Sequence, residues 1–92
     1  MKMEERIAKR LVKYYRSGDK RAAFRLSLLY WHQACWSRDE EVAVSACIEG
    51  FYWLKNAGYS LEIDLEEPDL QLLKETLRRS LSYYLKNIAK KI

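Results

Sequence analysis

Arg25 and His32 are the side chains of this 92-residue chain whose types and spacing come closest to doing chemistry. Seven positions apart on one helix, they point the same way, two turns from each other. An imidazole suits acid–base work near neutral pH, but no partner that would activate His32 stands near it in sequence. A symmetric dimer would bring two such pairs together. The chain has no Gly-rich phosphate loop, paired-acid motif or nucleophile elbow, and three Gly in all exclude most loop-based active sites. One His and no CxxC pair leave no metal-ligand set, so neither a metal nor a cofactor is expected.

The spacing of Arg25 and His32 resembles that of the HEPN-type helical ribonucleases, in which such a pair acts on the RNA backbone. The resemblance is two residues wide, and for this chain it implies a ribonuclease using Arg25 and His32. The rest of the sequence favours a non-enzymatic role.

That role is carried by surfaces. On the first helix Lys2, Arg6, Lys9, Arg10, Lys13 and Arg16 fall within roughly a third of the circumference, with no acid among them. Like charges at i and i+4 weaken a helix by about 0.2–0.5 kcal/mol per pair, so this face is not designed for helix stability alone. It suits a nucleic-acid backbone or another polyanion. Near the end of the chain Arg79, Lys86 and Lys90 line up with Tyr83 among them, a second basic strip with an aromatic inside it. The expected function is sequence-indifferent binding to nucleic-acid backbone, as a free protein or as a small subunit of a nucleoprotein assembly. The alternative is a protein–protein adaptor, a homodimer or larger assembly formed through the aromatic-rich helices, with Trp31, Trp36 and Trp53 at the interface.

Net charge of +4 conceals three blocks. Residues 1 to 38 hold ten Lys or Arg against three acids, residues 39 to 70 one against nine, and residues 71 to 92 six against one. Such a pattern means either internal pairing or separate surfaces for separate partners.

Four helices position these residues. The first is expected over 3 to 16, with an apolar arc of Met3, Ile7, Ala8, Leu11, Val12, Tyr14 and Tyr15. Ser17-Gly18-Asp19 breaks it, Gly for the left-handed turn and Asp or Ser to cap the next helix. Tyr14 to Asp19, with Ala22 and Ala23 following, resembles the turn of a tetratricopeptide-type hairpin. That likeness implies two antiparallel neighbours; Ser27 and Tyr30 depart from the pattern, and no second repeat follows at 34 residues. The second helix, 20 to 36, is apolar nearly all round, with Arg21, Arg25 and His32 as its one polar stripe, so it should lie at the centre.

Ser37 and Glu40 match a capping box for a third helix over 38 to 57, stopped by Gly58. Its buried side is expected to hold Val42, Val44, Ile48, Phe51, Trp53 and Leu54. Beside them runs a row of small residues, Ala43, Ala46, Gly50 and Ala57. Gly50 costs about 0.8–1.0 kcal/mol against Ala in a helix interior, so a ring such as Trp31 or Trp36 is expected against it. Residues 59 to 67 alternate apolar and polar and read as an extended connector, or an edge that pairs with another subunit. Pro68 opens a last helix over 68 to 90, on which Leu70, Leu73, Leu77, Leu81, Tyr84 and Ile88 form the seam. The expected architecture is all-α, a compact four-helix bundle of antiparallel helices with an extended connector before the last, in a single helical domain.

Cys35 and Cys47 flank the second turn with an axial offset of about a dozen ångström, which argues against a disulfide. Both are expected to be small buried residues in a reducing compartment. No run approaches the roughly 18 apolar residues of a membrane span, and Met1 to Arg10 lacks a signal-peptide core. A soluble, cytoplasmic protein with no membrane partner is the expectation, and two Asn and two Gln in the chain hint at a thermophilic source.

Overall fold

The turns decide where each helix stops. In the computed structural model, which describes residues 3–59 and 69–89, α1 is Met3–Arg16, α2 Lys20–Trp36, α3 Glu40–Asn56 and α4 Leu70–Ala89. Gly18 and Gly58 both take the left-handed conformation, φ +105° and +102°. Each is followed by a residue whose N–H reaches back five positions, Asp19 to the Tyr14 carbonyl and Tyr59 to the Leu54 carbonyl, each at 3.1 Å. These are paired Schellman closures, and they end α1 and α3.

Aspartates start α2, α3 and α4. Asp19, Asp39 and Asp69 each accept the backbone N–H two residues on, from Arg21, Glu41 and Gln71, at 3.0 Å. The capping box expected at Ser37 is therefore corrected: Ser37 N–H still donates to the Gln33 carbonyl and closes α2, while Asp39 caps α3. The last helix likewise begins behind Asp69, two residues after the expected start. The connector over 60 to 67, Pro68, Lys2 and Lys90 lie outside the described residues, as do the side chains of Met3, Tyr84 and Ile88.

The architecture is an all-α bundle of four helices, with no strand among the described residues. α2 packs along each of the other three helices, as an element apolar nearly all round must. One core cluster joins Phe24 and Ala34 of α2 to Ala46, Cys47, Phe51 and Leu54 of α3 and Leu73, Leu77 and Leu81 of α4. A smaller cluster, Leu11 with Ala22 and Leu26, seats α1 on α2. The seam expected on α4 holds at Leu73, Leu77 and Leu81, all buried.

α3 is rotated from the expected face. Its buried side is the small-residue row, Ala43, Ala46, Cys47 and Gly50, with Phe51 and Leu54, whereas Val42 and Ile48 are 41% and 42% exposed. Close approach of helices needs small side chains between them, and that gain outweighs burying two β-branched residues. The space over Gly50 is filled by Leu77 and not by an indole: a Cβ there would lie 2.8 Å from Leu77 Cδ2. Fully buried Ser27 donates its hydroxyl to the Gly50 carbonyl at 2.7 Å.

Candidate nucleic-acid interface

On α1, Arg6, Lys9, Arg10, Lys13 and Arg16 are all exposed. None forms an ion pair among the described residues. Lys13 and Arg16 stand in the last turn, where the helix dipole favours cations. Among the described residues no carboxylate pairs with the row, and its cations face solvent.

The second strip is different. Arg79 Nε lies 3.5 Å from Glu75 Oε1, and Arg78 binds the same carboxylate. The Arg78 hydrogen bond, with both guanidinium charges nearby, holds the Glu75 carboxyl below its ordinary range. Lys86 and Tyr83 are exposed, so α4 presents fewer free cations than its sequence suggested. No helix-packing contact joins α1 to α4 among the described residues, and the two strips are separate surfaces.

Arg25 and His32 do share a site. Together with Arg10 they rim a groove of about 480 Å³ between α1 and α2, floored by Leu11, Leu28 and Leu29 and walled by Ile7 and Tyr14. Ile7 and Tyr14, which the sequence places in the apolar arc of α1, are exposed. α1 meets α2 along the Ala8, Leu11, Val12 and Tyr15 side of its arc, which leaves the other edge without cover. Sequence marked Ile7 and Tyr14 as apolar, but which part of an arc a neighbour covers depends on the crossing of two helices.

The three tryptophans separate. Trp31 is half-buried and its indole N–H donates to the Lys74 carbonyl at 3.3 Å. Trp53 is half-buried against Tyr15, ring centroids 5.4 Å apart and edge-on, and its buried N–H has no partner among the described residues. Trp36 is 76% exposed, its ring stacked on His32 at 6.1 Å. Trp31 and Trp53 thus pack in part within the bundle, and of the three Trp36 is the most exposed.

Both cysteines are free. Cys35 is exposed, correcting its expected burial, while Cys47 is buried and its thiol pushed up from the ordinary range by desolvation. Among the described residues no three His, Cys, Asp or Glu side chains gather to hold a metal, and no helix is long and apolar enough to cross a membrane. No family model, curated protein or solved structure matches the chain. Its surface chemistry therefore carries the functional reading.

Proposed function

We propose that this protein binds nucleic-acid backbone without reading sequence, through the outer face of α1, alone or as a subunit of a nucleoprotein assembly. One observation carries the reading: among the described residues Arg6, Lys9, Lys13 and Arg16 are exposed and have no carboxylate partner, whereas Arg78 and Arg79 of α4 share Glu75. A row of unpaired cations at helical spacing is suited to successive phosphates, and its binding free energy comes from release of counterions. Lys86 is a secondary contact, and Lys2 and Lys90, which the sequence adds to this set, lie outside the described residues.

Titration of a labelled single strand at several salt concentrations tests this. Contact with about four phosphates gives a log–log slope near −3, and removing Lys9 and Lys13 together brings it to about half. Absence of binding at low salt overturns the proposal.

A second reading draws support from one fact, that Arg25 and His32 rim the same groove. It makes the protein a ribonuclease. Incubation with RNA tests it: cleavage that His32→Ala abolishes supports it, and an intact substrate with the parent protein rejects it.

A further inference from the structure

The groove between α1 and α2 and the outer face of α3 are chemical complements on one molecule. The groove has an apolar floor and, at its rim, Arg10 and Arg25 without a carboxylate beside them among the described residues. The outer face of α3 exposes Val42, Ile48 and Tyr52, with Glu41 and Glu49 flanking them. Positions 41, 42, 45, 48, 49 and 52 recur at three and four, the spacing of a helix laid into a groove. The groove offers two guanidinium groups and the α3 face two carboxylates.

These surfaces do not meet within one chain. α2 turns Ser27 toward Gly50 of α3 and Arg25 toward the groove, and two positions along a helix are 200° apart. The donor face of α3 itself points away from Gly50, which is packed under Leu77. A molecule therefore carries an acceptor on one side of α2 and a donor on the other.

The geometry points to head-to-tail self-association, in which the acidic–apolar face of α3 of one copy docks into the basic–apolar groove of the next. Such a contact is heterologous, so the assembly grows into a ring or an open row and does not stop at a two-fold dimer. It does not depend on the nucleic-acid reading. The cations of that reading, Arg6, Lys9, Lys13 and Arg16, lie further round α1 than Arg10, and they stay free when the groove is filled.

A charge swap tests it on protein freed of nucleic acid. The parent protein is expected to show a mass above the 11.0 kDa of one chain that rises with concentration, at about 50 mM salt, and falls back at about 500 mM. Arg10→Glu with Arg25→Glu, and separately Glu41→Lys with Glu49→Lys, are each expected to leave one chain, with helical content by circular dichroism unchanged. Mixing the two variants restores growth, because each reversed face finds its complement on the other chain. A parent protein that is a single chain at every concentration overturns the inference. Variants that assemble as the parent does also overturn it, as does a mixture that stays unassembled, and a groove-to-groove or α3-to-α3 pair would give one of these results.

Discussion

Ser27 and Gly50 form a close junction, where a hydroxyl bonds a carbonyl across the α2–α3 interface and a missing side chain admits Leu77. Ser27→Ala is expected to cost about 1 kcal/mol, the net worth of a buried hydrogen bond. Gly50→Ala sets two effects against each other: helix propensity gains about 1 kcal/mol, while overpacking costs about 1–3 kcal/mol. Leu77 is fully buried and has little room to yield, so a net loss of about 1 kcal/mol is expected in urea melts, shrinking in a Leu77→Ala background. The cysteines give a second test at this scale. Desolvation raises the Cys47 thiol, so less of it is thiolate at any given pH, and its burial excludes reagent. One thiol, Cys35, is expected to alkylate in the native protein and both in denaturant, read by mass spectrometry.

At the scale of the element, the proposed binding role of α1 is set against helix stability. Arg6 repels Arg10 one turn on and takes no carboxylate partner among the described residues. Arg6→Glu converts that repulsion into a Glu-to-Arg pair in the favoured orientation and places an acid near the helix N-terminus. A gain of about 0.5–1 kcal/mol in stability is expected together with a weaker grip on a single strand. Thermal melts and the salt titration on the same variant check both halves. A variant that loses stability and keeps its affinity contradicts this account of α1.

At the scale of the molecule, support is uneven. α2 and α3 belong to the core shared with α4, whereas α1 rests on α2 and reaches α3 through Tyr15, which packs edge-on against Trp53 and donates to Asn56 Oδ1 at 3.3 Å. Elements with fewer buried contacts open first. Amide exchange is expected to be slowest in α2 and α3 and markedly faster in α1, with Tyr15→Ala accelerating α1 selectively; uniform exchange across the helices would contradict it. Along the chain the apolar periodicity, the two glycine stops and the charge blocks were legible in the sequence, because each is a local property of a few neighbouring residues. The caps were less so: Ser37 and Asp39 are both capping residues, and the choice fell to whichever was not already closing α2. The all-α bundle, the central place of α2 and the seam of α4 follow from periodicity alone. Only the packed structure decided that α3 buries its small residues and that Ile7 and Tyr14 line an open groove with Arg10, Arg25 and His32. Each depends on how far and at what angle one helix approaches another, and that geometry is set by side chains distant in sequence.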